Sequence, residues 1–320
     1  MMASFVADVG GTNIRLAVIE DGHLSHIKKY LCADFPSIEA AIEHYFADMP
    51  DLIFDCGCIA IACPTNNDWV KMTNHTWAFS KQALKAHLRL NWLGVINDFS
   101  AVAHSLPVLR ADQIIQLGTG SRSETGNIAV FGPGTGLGVE HMTHTAEGWQ
   151  TLDGEGGHVD FSPCDETDVV IWRYLQKLHG RASAEEVMSG RGIVNIYRAL
   201  AEDQQHPATF TEAAQVTAAA LDNSCPISRQ TVEQFCRILG NFAGNLALNL
   251  ATTGGVFIGG GIALRIIDIL EHSDFRKCFE NKGQFADYVK PIPTYLIAEP
   301  DHGLLGAGAY LKQQTASLNA

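Results

Sequence analysis

A strand–glycine–strand unit that occurs twice constrains the fold of this chain more than any other feature. The first copy reads SFVADVGGTNIRLAVIE near the N-terminus, and the second reads NIAVFGPGTGLGVEHMTH near the middle of the 320 residues. In each copy an apolar run enters a glycine turn and a second apolar run leaves it, which is typical of a β-hairpin. Two such units predict two α/β lobes of related design.

Hydrophobic periodicity assigns most of the remaining chain to helices and short strands. The longest helical pattern spans residues 228–252, and the apolar strand GGVFIGGGI leads through glycines into the helical pattern ALRIIDILEH. Ser80 is predicted to be the N-cap of a short helix, because a serine hydroxyl accepts hydrogen bonds from the free N–H groups of a first helical turn. The mixture predicts an α/β fold.

Composition and charge argue against several classes of protein. With 22 basic and 35 acidic residues the formal net charge is −13, which disfavours a nucleic-acid or anionic-membrane partner, since phosphate contacts need clustered Lys and Arg. The eight cysteines lack metal-finger spacing, and the N-terminus lacks the regions of a signal peptide. No stretch has the length and apolarity of a membrane span. We therefore expect a reduced, cytoplasmic protein.

Three glycine-rich turns, each directly after an apolar strand, are candidates for phosphate binding. They lie at residues 10–11, 132–138 and 259–261, and glycine lets backbone N–H groups approach phosphate oxygens closely. The Walker pattern GxxxxGK[ST] is absent, and GPGTGLG is followed by a strand and not by the helix of a dinucleotide-binding site. A pair of phosphate hairpins fits better, with Asp8 placed to orient hydrated Mg²⁺.

The stretch VINDFSAVA places Asn97 and Asp98 at the junction of a strand and a helix. Two interpretations of Asp98 remain open from the residues alone. It is either the N-cap of the helix, a common role for aspartate at such junctions, or a general base that accepts the proton of an attacking hydroxyl group.

The segment GEGGHVDF combines acids and a histidine with three glycines, and three interpretations of it stay open. A metal site is one, although Cys164 stands where an EF-hand needs its last glutamate, and HExxH is absent. A plain surface loop is the second. Hydrogen bonding to a polyhydroxy ligand is favoured, because a carboxylate accepts from two hydroxyl groups while imidazole both donates and accepts.

A series of motifs over essentially the whole chain resembles the bacterial glucokinase family of the proteobacterial type, within the actin–hexokinase superfold. In chain order the motifs are ADVGGTNIRLA, CIAIACP, MTNHTWAFS, INDFSAVA, FGPGTGLGV, GEGGHVDF, SAEEVMSGRGIVNIYRAL, GGVFIGGGI and GLLGAGAYL. Their number and order argue against chance agreement. The resemblance implies an ATP-dependent phosphorylation of D-glucose at the 6-hydroxyl group, with Mg²⁺, by a homodimer.

The resemblance also implies roles for individual residues. Asp98 would be the general base. The residues that would contact sugar hydroxyl groups are Asn97, Asp98, Glu155, His158 and Glu185. The residues that would meet the ATP phosphates are Ala7, Asp8, Val9, Gly10, Gly11, Thr12, Gly134, Thr135, Gly136 and Gly138, with Thr12 and Thr135 offering hydroxyl groups. The residues that would lie near the adenosine are Gly259, Gly260 and Gly261.

The fold implied is the two-lobed α/β actin/hexokinase-like (ribonuclease H-like) fold with a ligand cleft between the lobes. Residues 1–108 would form the small lobe and 109–301 the large lobe, with the C-terminal helix, 302–320, returning to the small one. We expect the phosphate hairpins to be separate in space from the sugar loop around Glu155. For Glu186, and also for Glu185 if the family resemblance is set aside, the alternative interpretation is a place on a helix surface.

Related sugar kinases with a zinc-binding cysteine cluster are disfavoured because that cluster is absent, so no protein metal site is expected. Three alternatives to a glucokinase are kept. The first is the same chemistry on another hexose or amino sugar. The second is a nonenzymatic sugar sensor, which could dispense with the base Asp98. The third is an ATPase module that acts with a protein partner, against which the glycine-framed Glu155 and His158 argue.

Overall fold

The computed structural model describes residues 2–73 and 75–318. Met1, Asn74 of the motif MTNHTWAFS, and residues 319–320 of the predicted C-terminal helix lie outside the described residues. Within the described part, residues up to Arg110 and from Glu299 onward form one compact unit, and Ala111–Ala298 form a second. The domain boundaries expected from the sequence, 108/109 and 301/302, stay a prediction.

The described residues form both strands and helices, numbered here in chain order. The strands are β1 (Met2–Val9), β2 (Asn13–Glu20), β3 (His23–Leu31), β4 (Ile53–Ile61), β5 (Trp69–Lys71), β6 (Ala78–Ser80), β7 (Trp92–Asn97), β8 (Ile114–Gln116), β9 (Ile128–Pro133), β10 (Leu137–Thr145), β11 (Gly148–Thr151), β12 (Val256–Ile258) and β13 (Thr294–Ile297). The α-helices are α1 (Ile38–Ala47), α2 (Lys81–His87), α3 (Asp98–Ser105), α4 (Glu166–His179), α5 (Gly190–Asp203), α6 (Ala213–Leu221), α7 (Pro226–Leu250), α8 (Gly261–Arg265), α9 (Ile267–Leu270), α10 (Phe275–Glu280), α11 (Ala286–Val289) and α12 (His302–Leu318).

The sheet of the first unit has the strand order β3-β2-β1-β4-β7. β1 pairs antiparallel with β2, whereas β1, β4 and β7 run parallel to one another. The register places Val9, Ile61 and Asn97 side by side, so three strands finish at one edge of the sheet. The carboxyl edge of a parallel sheet is where α/β folds commonly bind ligands.

The second unit contains a six-stranded sheet of order β11-β10-β9-β12-β13-β8, whereas the small β5–β6 sheet belongs to the first unit. The six-stranded sheet repeats the arrangement of the first sheet: an antiparallel hairpin, β9–β10, beside the parallel strands β12 and β13. Both predicted strand–glycine–strand units are therefore hairpins at the start of related sheets. The α/β fold class expected from the sequence is confirmed.

Local sequence signals explain how several elements begin and turn. Asp21 and Gly22 link β2 to β3 with positive φ angles of 48° and 82°, as a tight hairpin turn requires. The predicted N-cap Ser80 is confirmed, since its hydroxyl accepts from the N–H of Ala83 at 3.1 Å. The helix predicted at 228–252 is α7, which begins two residues earlier because a proline, Pro226, suits a first helical turn.

Strand alternation divides the apolar side chains of the first unit between the two faces of its sheet. Phe5, on β1, packs in a cluster with α1, whereas Val6 packs with apolar residues of α12. Asp8 follows Val6 by two residues and so points to the α12 face. Among the described residues, no helix combines the length and apolarity needed to cross a membrane.

Candidate active site

Asp98 lies at the carboxyl edge of the first sheet, where β7 gives way to α3. The helix is capped by Asn97, whose side chain accepts from the N–H of Phe99 at 2.8 Å, and Asp98 is the first helical residue. One carboxylate oxygen of Asp98 accepts from the same N–H at 2.9 Å. The N-cap of this helix is therefore Asn97, and the interpretation of Asp98 as the N-cap is wrong.

Burial raises the pKa of Asp98 above its ordinary value, while the hydrogen bond from Phe99 opposes this and the charge of Asp8 adds to it. A partly desolvated carboxylate is a better proton acceptor than one in water. The side-chain amide of Asn97 reaches the carbonyl oxygen of Cys63 at 3.4 Å, which is a long hydrogen bond. The same side chain also hydrogen-bonds to the Asp98 carboxylate, a contact that lowers the pKa of Asp98 and partly offsets its burial.

Asp8, near the end of β1, is held by a basic side chain that the sequence analysis did not identify. Arg15 contacts the Asp8 carboxylate at 3.1 Å, and also donates to Asp301 and to the carbonyl oxygen of Pro300 at 3.1 and 2.9 Å. Burial nevertheless raises the pKa of Asp8, an effect that Arg15 reduces. Asp8 and Arg15 are direct cross-strand partners, so the hairpin register alone could have revealed this pair.

The glycine turn between β1 and β2 leaves two backbone donors available. Gly10 donates its N–H to the carbonyl oxygen of Asn13 at 2.9 Å and so closes the turn. Within the part of the chain that the structure describes, the N–H groups of Gly11 and Thr12 have no protein acceptor. Such unpaired donors at a turn are suited to an anion.

The turn between β9 and β10 has the same form in the second unit. Gly134 donates to the carbonyl oxygen of Gly136 at 2.8 Å, and the N–H groups of Thr135 and Gly136 have no acceptor among the described residues. The third glycine turn packs against this hairpin: Gly260 has a φ of 86°, and a β-carbon there would lie 2.7 Å from the carbonyl oxygen of Pro133. Only glycine fits that position.

Glu185 reaches the second glycine turn directly. One carboxylate oxygen accepts from the N–H of Leu137 at 3.0 Å, and the other accepts from Arg191 at 3.1 Å. A β-carbon at Gly136 would lie 2.6 Å from the Glu185 carboxylate. The expected sugar ligand Glu185 is thus adjacent to the expected phosphate turn.

Glu186 lies in the turn before α5 and not on a helix surface, so that interpretation is wrong. Its carboxylate accepts from Arg191 at 2.7 and 3.1 Å and from Asn195 at 3.0 Å. The side chain is only 17% exposed. Arg191 and Asn195 lie in the motif SAEEVMSGRGIVNIYRAL, but no role was expected for either, because their contacts with Glu186 depend on how this turn folds.

The segment with Glu155 and His158 also packs on the second hairpin. Residues 156–158 form a short 3₁₀ turn, and a β-carbon at Gly157 would lie 2.1 Å from the carbonyl oxygen of Leu137. The carbonyl oxygen of Gly157 accepts from the N–H of Glu185 at 2.9 Å. The expected spatial separation of the sugar loop from this phosphate turn is wrong, because glycine allows the two backbones to touch.

The side chains of Glu155 and His158 are exposed and make no hydrogen bond among the described residues. Asp160, in the same segment, pairs instead with Arg181 at 2.8 Å. Within residues 2–73 and 75–318, no group of three or more His, Cys, Asp or Glu side chains is arranged to hold a metal ion. The two side chains are therefore available to a hydroxylated ligand.

Comparisons with known proteins agree on one family. The family model described as "Glucokinase" matches residues 5–314. The chain is 47% identical to the glucokinase of Escherichia coli and 46% identical to that of Erwinia tasmaniensis, in both cases over 97% of this chain and 97% of the relative. Its fold is similar to the crystal structure of glucokinase from an Antarctic psychrotroph, with a TM-score of 0.92, 36% identity, and coverage of 97% and 98% of the two chains.

Proposed function

The chain belongs to the glucokinase family and is an ATP-dependent glucose 6-phosphotransferase, and from this premise we propose that Asp98 is its catalytic base. The observation that carries the proposal is the junction of β7 and α3. Asn97 caps the helix there, so the Asp98 carboxylate lies at the sheet edge without serving as the cap. The raised pKa of Asp98 suits a proton acceptor.

In the proposed reaction the oxygen of the glucose 6-hydroxyl group attacks the γ-phosphorus of ATP. Asp98 accepts the proton of that hydroxyl group as the attack proceeds. A bond forms between that oxygen and phosphorus, and the bond to the β-phosphate oxygen breaks to release ADP. The protein contributes mainly position and charge, because phosphoryl transfer requires little covalent chemistry from the enzyme.

The sugar is proposed to bind to Asn97, Asp98, Glu155, His158 and Glu185. Within the second unit, Glu155 and His158 are exposed on a turn fixed by glycine packing, and Glu185 is held by backbone and Arg191 contacts. Carboxylates accept from hydroxyl groups, while the amide of Asn97 and the imidazole of His158 can donate to them. These complementary groups suit a ring with several hydroxyl groups.

ATP phosphates are proposed to bind at the two hairpin turns, through N–H groups without a protein acceptor. The residues of this proposal are Ala7, Asp8, Val9, Gly10, Gly11, Thr12, Gly134, Thr135, Gly136 and Gly138, with Gly259, Gly260 and Gly261 near the adenosine. Asp8 is proposed to hold hydrated Mg²⁺. Arg15 contacts one of its carboxylate oxygens, and the other is the kind of oxygen ligand that Mg²⁺ prefers. When bound, Mg²⁺ would neutralise developing charge on the phosphates.

A homodimer is proposed from the family resemblance, and a cytoplasmic location from the cysteine pattern and the N-terminal sequence. Sedimentation equilibrium of the purified chain tests the first, and cell fractionation tests the second. A monomer across the accessible concentration range would contradict the proposed dimer without affecting the catalytic proposal.

A coupled assay of the purified chain tests the proposed function and its alternatives together. With ATP and Mg²⁺, glucose should be the best acceptor among glucose, mannose, fructose, N-acetylglucosamine and N-acetylmannosamine, because the polar groups are matched to one pattern of hydroxyl groups. ADP and polyphosphate serve as alternative donors. Sugar binding without turnover would favour the sensor, and ATP hydrolysis independent of sugar would favour the ATPase module.

A further inference from the structure

A continuous chain of polar contacts lies behind Glu185 in the second unit. Asn195 donates to Glu186 at 3.0 Å, Glu186 accepts two hydrogen bonds from Arg191, and Arg191 donates to Glu185 at 3.1 Å. The remaining oxygen of Glu185 accepts from the N–H of Leu137, directly after the Gly134–Gly136 turn. One guanidinium group therefore joins two adjacent carboxylates.

The burial of these groups distinguishes the arrangement from an ordinary surface ion pair. The side chains of Glu185 and Glu186 are 18% and 17% exposed, whereas that of Arg191 is 54% exposed. An isolated exposed ion pair has little effect, because water screens it. Here the carboxylates are mostly removed from water, and the planar guanidinium is fixed by two bonds to Glu186 before it reaches Glu185.

We propose that Arg191 is a positioning residue for glucose, acting through Glu185. The inference rests on the proposed function of Glu185 as a sugar ligand. Arg191 and the N–H of Leu137 each occupy one acceptor position on a different Glu185 oxygen, and the carboxylate is thereby fixed in rotation. Each oxygen keeps a further lone pair, directed by these two bonds, for a sugar hydroxyl group.

Loss of Arg191 leaves Glu185 held by a single backbone bond. The carboxylate can then rotate, and two adjacent carboxylates lose their shared countercharge. We expect Arg191→Met to raise the glucose KM roughly tenfold, the change that follows from one lost hydrogen bond to a charged group. Arg191→Lys should give a smaller rise, because a lysine is a point donor and cannot join both carboxylates in the same geometry.

The test is a double-mutant cycle on the full-length enzyme with Arg191→Met, Glu185→Gln and the double variant. Glucose and ATP are varied in turn, and thermal unfolding is measured for each variant. The matched control is Arg229→Met, which removes an arginine paired with Glu233 on α7 in the same unit at 2.6 Å. The control should keep the wild-type glucose KM.

If Arg191 acts through Glu185, adding Arg191→Met to Glu185→Gln should change the glucose KM by less than about twofold, since coupled residues are not additive. Multiplicative effects of the two single changes would overturn the inference. A glucose KM unchanged in Arg191→Met, with only a lower unfolding temperature, would also overturn it and leave a structural role. A wild-type enzyme without glucose phosphorylation would instead reject the proposed function itself, so the two failures are distinguishable.

Discussion

Asp98 is the residue with the most specific proposed role, and its replacement by asparagine tests that role directly. Asparagine keeps the size and can still accept from the N–H of Phe99, but it does not take up a proton. We expect kcat to fall roughly 10²–10⁴-fold, the range of general acid–base catalysis. Steady-state kinetics with saturating glucose and ATP measure the change. A kcat within a few-fold of wild type would show that Asp98 only supports the start of α3.

The stability of the same variant gives an independent check on burial. The folded-state pKa of Asp98 is raised, chiefly by burial, so the native protein favours the protonated form more than the unfolded chain does. Stability from this group is therefore present at low pH and is lost as pH rises from the unfolded pKa to the folded one. Asp98→Asn should accordingly unfold at a slightly higher temperature than wild type at pH 7.

The pH dependence of wild-type kcat/KM for glucose follows from the same shift, because kcat/KM reports the pKa values of the enzyme before the sugar binds. A base must be ionised to accept a proton, so activity should fall on the acid side as Asp98 becomes protonated. Burial places this acid limb above the ordinary aspartate value of 3.8, and the nearby charge of Asp8 moves it further in the same direction. A pH profile of kcat/KM for glucose, for a protein shown to remain folded, measures it. An acid limb at or below the ordinary value would contradict the assigned base.

At the scale of an element, the hairpin β9–β10 connects two ligands that the sequence analysis treated separately. A β-carbon added at Gly136 would lie 2.6 Å from the Glu185 carboxylate, and Gly136→Val adds a branched side chain at this position. We expect the KM values of both ATP and glucose to rise, because Glu185 must move from its bond with Leu137. If the hairpin were separate in space from the sugar loop, as expected from the sequence, only ATP use would be impaired.

The comparison variant for this hairpin is Gly134→Ala. A β-carbon at Gly134 would have its nearest contact at 4.0 Å, from the carbonyl oxygen of Gly136, so Glu185 stays in place. Its effect on the glucose KM should be clearly smaller than that of Gly136→Val. Calorimetry with glucose in the absence of nucleotide makes the distinction. Intact glucose binding by Gly136→Val would restore the view that the turn serves the nucleotide alone.

At the scale of the whole molecule, glucose should raise the unfolding temperature of the wild type. A ligand that binds only the native state at a hundred times its Kd adds about 2.7 kcal/mol to the free energy of unfolding. Glu155→Ala should reduce this shift in unfolding temperature. The Glu155 carboxylate makes no hydrogen bond among the described residues, so glucose can bind it without first breaking a contact within the protein. Asp153→Ala, an exposed acid in the same segment, is the control. If glucose raises the unfolding temperature of wild type and Glu155→Ala equally, the segment is a polar surface loop and not a sugar site.

The sequence by itself determined the elements and their kind. Alternating apolar residues and glycine turns act locally, so both hairpins, the Ser80 cap and the helix α7 could be predicted with small errors at their ends. The position of the α3 cap could not, because Asn97 and Asp98 are both good N-caps and only the end of β7 decides between them. The Asp8–Arg15 pair was within reach, since it follows from hairpin register.

Only the tertiary structure decided which polar groups meet. Arg15 joins Asp301 across 286 positions of sequence, and Glu185 meets Leu137 across 48, contacts that no local periodicity encodes. Arg191 and Glu186 look like ordinary surface residues in the sequence, and they acquire a role only because Leu137 and the turn before α5 are packed together. Hydrogen bonds and ion pairs depend on distances of a few ångströms, and folding alone sets these for residues far apart in the chain.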